Sequence, residues 1–154
     1  MPSQIESRLE ALGIVLPPIV TPAANYVPNV IAGKLVFVAG QVPMTPDGLQ
    51  YIGKLGREFS IEDGQKAARI CGINILANLK NALGDLEKLG RMVKLTGFVN
   101  ADVDFVKPQD VVNGASDVLI EVLGEIGRHA RSAIGVATLP HGVAVEVEAI
   151  AEIA

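Results

Sequence analysis

The sequence has no tryptophan, one cysteine and two histidines among 154 residues. A single cysteine, Cys71, cannot close an internal disulfide, which fits a reducing compartment. It lies in an apolar helical run and reads as a core residue. His129 and His141 stand apart, and no spaced His/Cys/Asp cluster of the kind zinc or iron sites use is visible. Despite 16 glycines, neither a Gly-x-Gly-x-x-Gly loop nor a Walker-type loop occurs. No nucleophile-elbow string supports a Ser-His-Asp triad. No window approaches the ~20 apolar residues of a membrane span. The N-terminus carries Glu6, Arg8 and Glu10 in a helical pattern, in place of a basic region followed by an apolar one, so no signal peptide is expected. Positive charge is also sparse: 13 Lys and Arg stand against 17 Asp and Glu, a net charge of -4 with no basic patch. That balance argues against nucleic-acid binding, which needs clustered cations and stacking aromatics. The expectation is a soluble, cytoplasmic protein with neither a nucleic-acid nor a membrane partner.

What is present is a core-forming chain, 49% hydrophobic and 19% charged, enough for one domain of the α+β class. Ser3 suits the cap of a short helix with Ile5, Leu9 and Leu12 on one stripe, stopped by Gly13. Prolines at 17, 18, 22 and 28 impose an extended path. Residues 26–31 and 35–42 read as a hairpin about Gly33. A loop with turns at Pro46-Asp47-Gly48 and near Gly53 and Gly56 follows, and a glycine-bearing loop of this length is a common place for a lid. Ser60 with Asp63 resembles a capping arrangement for a helix reaching Leu83, ended by Gly84. Its broad apolar stripe suggests burial against a sheet. Residues 92–103 read as a strand and 110–123 as a second long helix.

The last quarter is the most informative. Residues 131–151 read as two strands joined by a Leu-Pro-His-Gly turn, with Arg131 at the head of the first. In the second, alternation places Glu146, Glu148 and Ile150 on one face and Val145, Val147 and Ala149 on the other. The bland reading is a solvated edge strand, since Glu and Arg are mostly exposed. The sharper reading is a site in which Arg131 binds an anion and a glutamate handles a proton.

The string Arg-Ser-x-x-x-Val-x-x-Leu-Pro-x-x-Val-x-Val-Glu-Val-Glu-Ala-Ile-Ala resembles the C-terminal signature of the RidA/YjgF family of reactive-intermediate deaminases, also called endoribonuclease L-PSP. Val38 to Pro43, Val93 to Val99 and Val112-Asn113 resemble further family segments in the same order. The resemblance covers residues 17–154, leaving residues 1–16 as an N-terminal helical extension of a divergent subgroup. It implies a chorismate-mutase-like mixed sheet with two helices packed on one face, assembling as a homotrimer with clefts between subunits. It also implies cofactor-free, metal-free hydrolysis of enamines and imines of the 2-aminoacrylate type to 2-keto acids and ammonia, a reaction like that of 2-iminobutanoate/2-iminopropanoate deaminase.

By the same resemblance Arg131 and Glu146 are catalytic: the arginine takes the substrate carboxylate, and the glutamate holds or activates water. Tyr26, Gly40, Asn113 and Glu148 are expected to line the substrate pocket, Gly40 by letting the backbone approach a small ligand. Ala39 and Ala133 stand where the family commonly has serine and often cysteine, and Asn25 precedes Tyr26 in place of the family's Gly-Pro. These departures support an alternative, a non-catalytic trimeric protein that binds small carboxylates or keto acids. Ribonuclease or translation inhibition, carried by the family label, ranks third. Without the resemblance Tyr26 would be a strand-packing aromatic, Asn113 a helix cap, and His129 and His141 surface and turn residues. His129 and Arg128 are expected to add positive charge near Arg131.

Overall fold

Capping chemistry sets the ends of the helices. Ser3 Oγ accepts from Glu6 N ahead of α1 (Gln4–Ala11). Ser60 and Asp63 form a reciprocal capping box ahead of α2 (Ile61–Leu83), and Gly84 closes α2 with a left-handed φ of 79°. The third helix, α3 (Pro108–Leu123), opens on a proline at its first position, which needs no N–H there. It therefore starts two residues before the expected Asp110. The computed structural model describes residues 1–154.

The strands are β1 (Asn29–Ala32), β2 (Leu35–Gln41), β3 (Met44–Thr45), β4 (Gly48–Leu49), β5 (Leu89–Asn100), β6 (Ala130–Val136) and β7 (Val145–Ile153). Five of them form a mixed sheet in the order β1-β2-β7-β5-β6, in which only β5 and β6 run parallel. The two C-terminal strands are thus not neighbours, because β5 lies between them. The residues after Val136 turn at Pro140–Gly142 and carry the chain across to the middle of the sheet. The first strand begins at Asn29, not at 26, and β5 lies three residues earlier than the expected 92–103. Its end is set by Asn100, whose buried amide donates to the carbonyls of Gly53, Gly142 and Val143.

One face of the sheet is closed by α2 and α3. Val36, Val38, Leu95, Val99, Val145, Val147, Ala149 and Ala151 point into this layer, with Ile75, Leu76, Leu79, Val111, Val118 and Leu119 opposite. Each of the valine, leucine and isoleucine side chains contributes about 1.5–3 kcal/mol through burial, and the alanines less. The helices approach closely because Gly72 and Gly114 lack side chains: a Cβ on Gly114 would run into the Gln65 carbonyl, and one on Gly72 into Val118. Ile5 and Leu9 of α1 join the same core.

The other face is open. Register places Val30, Phe37 and Ile150 in one row across it and Glu146, Phe98 and Ile134 in another. The segment 43–60 is laced to the end of the sheet. Gly53 N donates to the Gly142 carbonyl, Leu55 N to the Asn100 carbonyl and Ala144 N to the Tyr51 carbonyl. Lys54 Nζ donates to Asn100 Oδ1 at 2.7 Å and to the Ala137 carbonyl. No helix is long and apolar enough to cross a membrane.

Candidate active site

Arg131 lies on the edge strand β6, paired with Leu95, so its side chain rises on the helix-covered face. There α3 presents one polar stripe, Gln109, Asn113 and Ser116, at helical spacing. Arg131 Nη1 donates to Asn113 Oδ1 at 2.8 Å and to Ser116 Oγ at 3.2 Å, and Nη2 donates to the Gln109 carbonyl at 3.2 Å. None of the chain's ion pairs involves Arg131. A guanidinium has five N–H donors, and these bonds engage both hydrogens of Nη1 and one of Nη2. The Nε–H and one Nη2–H are left, on the two nitrogens that grip a carboxylate side-on. Ala133, two residues along on the same face, packs against the core and offers no polar atom.

Asn113 sits inside α3 and is not a cap; its side-chain oxygen accepts from Arg131. Ser116 and His129 complete this surround, with Ser116 Oγ 2.9 Å from His129 Nε2 and His129 Nδ1 2.7 Å from the Gly127 carbonyl. The sequence reading missed Ser116, although its i+3 spacing from Asn113 was a usable signal. His129 is a half-buried part of the network, not a surface cation. Burial lowers its pKa below the ordinary value and the Arg131 charge adds to this, against the opposing bond to Gly127. His141 is an exposed turn residue with φ 57°.

Glu146 lies on β7 and on the open face, opposite Phe98. The β2–β7 register slips between Val38 and Gln41, so Ala39 and Gly40 form a bulge beside it. The Glu146 carboxyl occupies the space a Cβ on Gly40 would need. The glycine thus makes room for the acid. Burial, and then the neighbouring Glu148 charge, raise the Glu146 pKa above the ordinary carboxylate value. Glu148 is exposed on the same face, opposite Thr96. Tyr26, 58% exposed, and Ala39 line two adjoining hollows. One, of about 540 Å³, lies beneath residues 17–28 and includes Gly40, Asn74 and Asn78 in its wall. The other, of about 480 Å³, includes Glu148 and Phe37.

The sequence-predicted residues therefore fall into two groups. Arg131, Asn113 and Ala133 meet at the β6 edge under α3. Glu146, Gly40, Ala39, Tyr26 and Glu148 gather around β2 and β7. One chain does not bring the groups together: Arg131 and Glu146 project from opposite faces, two strands and three residues apart in register, about 14 Å between Cα atoms at standard strand spacings. No three His, Cys, Asp or Glu side chains converge as a metal ion would require.

Residues 6–153 match the profile of the family described as "YjgF/chorismate mutase-like, putative endoribonuclease". The chain belongs to that family. The YjgF-type chain is 44% identical to Protein TCP17 of Trypanosoma cruzi, over 97% of its own length and 94% of that protein's. An Agrobacterium tumefaciens crystal structure of unknown function shares 48% identity at a TM-score of 0.91, covering 98% of this chain and 93% of that one. RidA from an Antarctic Psychrobacter superposes at a TM-score of 0.61 with 27% identity, covering 90% and 94%. The YjgF/chorismate-mutase-like fold, a mixed sheet with helices on one face, is thus that of the family.

Proposed function

We propose that this YjgF-family protein is a cofactor-free hydrolase of enamines and imines of the 2-aminoacrylate type, acting in the cytoplasm as a homotrimer. The observation that carries the reading is the Arg131 fork, fixed by three neutral acceptors and left with a carboxylate-binding pair of N–H groups. A small 2-imino acid cannot touch Arg131 and Glu146 of one chain across opposite sheet faces. The site is therefore built from two copies, Arg131, Asn113 and Ala133 from one and Glu146, Gly40, Ala39, Tyr26 and Glu148 from the next. The apolar rows on the open face, with Val30, Phe37 and Ile134 well exposed, are the surface that such an assembly covers.

In this mechanism Arg131 grips the α-carboxylate and sets the imine carbon against a water beside the bulge. The Glu146 carboxylate takes a proton from that water as its oxygen bonds to the imine carbon. The C=N pair passes to nitrogen, which is protonated. Glu146 passes its proton to the amine in this step, and as the C–N bond of the carbinolamine breaks the hydroxyl oxygen closes the C=O bond and gives up its own proton. Both protons of the water thus leave on ammonia, and a 2-keto acid remains. An enamine enters the same path after its methylene carbon is protonated. The raised pKa of Glu146 makes its ionised form a stronger base than an ordinary carboxylate.

The test is ammonia release from enzymatically generated 2-aminoacrylate and longer-chain imines, for wild type and Arg131→Ala at matched oligomeric state. Acceleration by wild type that falls roughly 100-fold or more in the variant supports the reading. Unchanged activity in Arg131→Ala removes the arginine from the mechanism. Stabilisation by keto acids without ammonia release replaces the hydrolase with the carboxylate-binding alternative, which the apolar Ala39 and Ala133 favour.

A further inference from the structure

The network behind Arg131 has a direction. A carbonyl oxygen can only accept, so the 2.7 Å contact between His129 Nδ1 and the Gly127 carbonyl places the ring proton on Nδ1. In the neutral ring Nε2 is then a bare acceptor, and the Ser116 hydroxyl 2.9 Å away donates to it. With its proton turned toward the histidine, Ser116 Oγ presents its lone pairs to Arg131 Nη1 at 3.2 Å. Ser116 is buried, only 9% exposed, so water does not readily replace either partner. The polar chain runs from Arg131 to Ser116 to His129 to Gly127, and only uncharged histidine completes it.

We propose that Ser116 and His129 are positioning residues for Arg131, and that neutral His129, through the Ser116 hydroxyl, holds the guanidinium in its carboxylate-gripping pose. This rests on the reading of Arg131 as the carboxylate grip. Protonating His129 reverses the Ser116–His129 bond, because both ring nitrogens then donate. Ser116 Oγ must accept from the imidazolium and the guanidinium at once, its own proton loses its acceptor, and two cations face each other across one hydroxyl. The orphaned hydroxyl proton and the repulsion between the two cations weaken the hold of Ser116 on Arg131, and ligand affinity falls as pH falls through the histidine titration. Burial and then the Arg131 charge lower the His129 pKa, against the Gly127 bond, so the ring tends to stay neutral beside Ser116.

The charges around His129 are few. Arg131 on β6 is the one that acts on its titration. On the turn after α3, Arg128 is paired with Glu125 at 3.1 Å. On α3, Glu121 is paired with Arg69 at 3.0 Å, and Asp110 and Asp117 are the other acids. On β5, Lys94 donates to Ser132 Oγ. Glu146 titrates on the opposite face and in the opposite sense for an anion, since its neutralisation removes a repulsion.

The test uses 2-oxobutanoate, whose carboxylate stays ionised, and measures its Kd calorimetrically from about pH 8 to about pH 5 on the intact oligomer. Wild type is expected to weaken roughly 10-fold on acidification. His129→Gln keeps an acceptor for the Ser116 hydroxyl without a titrating ring, so it should match wild type within about 2-fold at pH 8 and lose the acid weakening. Ser116→Ala should bind roughly 5-fold more weakly at pH 8 and likewise show no acid weakening. The same acid weakening in His129→Gln and wild type overturns the positioning role, as does unchanged binding in Ser116→Ala. If His129→Gln fails to fold, Ser116→Ala still decides by the same readout. Failure of the parent reading looks different: Arg131→Ala would then bind 2-oxobutanoate as wild type does at pH 8.

Discussion

Every hydrogen-bond partner of the Arg131 side chain is a neutral acceptor, and three hydrogen bonds fix the fork on the helix-covered face. Around Glu146 the chain offers no hydrogen bond to the carboxyl, only burial, a nearby carboxylate and the space left by Gly40. A permanent cation tolerates neutral surroundings and gains precision from them, because arginine keeps its charge. A carboxyl in the same position would exchange its proton poorly if several donors held it ionised. One region is thus built to hold a fixed charge in place, and the other to let a charge come and go.

The sharpest way to break this comparison is to separate the two regions onto different chains. Arg131→Ala and Glu146→Gln subunits, each inactive alone, are expected to recover about a quarter of the wild-type rate when randomly mixed into one oligomer, since an intact site then needs the right residue from each of two neighbours. No recovery on verified mixing would place the whole site in one chain and overturn the two-copy arrangement. Glu146→Gln alone should lower kcat by roughly 100- to 10,000-fold while moving KM little. In wild type, kcat should rise with pH as Glu146 ionises, with a midpoint above the ordinary carboxylate value, because its raised pKa keeps the proton on to higher pH than an ordinary carboxylate. A glutamine variant that retains both rate and acid limb would remove Glu146 as the base. Smaller still is Gly40→Ala. Its Cβ takes the place of the Glu146 carboxyl at the end of a flexible side chain, so the fold should persist while kcat falls roughly 10-fold from misplacement. Thermal melts and steady-state rates on the same sample check both halves of that expectation.

How much of this was legible beforehand differs by element. The capping box at Ser60 and the stop at Gly84 were readable because caps are local hydrogen-bond chemistry. The apolar and acidic faces of β7 were readable because alternation is a property of the strand itself. The placement of β7 between β2 and β5 was not, since pairing order depends on contacts remote in sequence. The end of β5 was misplaced for the same reason: Asn100 is tied by carbonyls more than forty residues away in sequence. Within the site, Arg131 and Glu146 were singled out, but their opposite faces were not foreseen. Gly40 is readable as a place of close approach, but that the Glu146 carboxyl fills the space of its missing Cβ depends on the pairing of β2 with β7. The sequence suggests His129 as a nearby cation, whereas burial and the Arg131 charge disfavour its protonation and the Gly127 carbonyl orients the ring toward Ser116.

By itself the sequence determined the family, the α+β class, the helix caps and the residues that carry charge into an apolar region, because each is written in local pattern or in an ordered motif. Tertiary structure alone decided which face each charge occupies, that Arg131 is fixed by α3, and that Glu146 stands apart beside a bulge. Those outcomes follow from strand order and register, and a slip of one residue or one strand would send the same side chains to different surroundings.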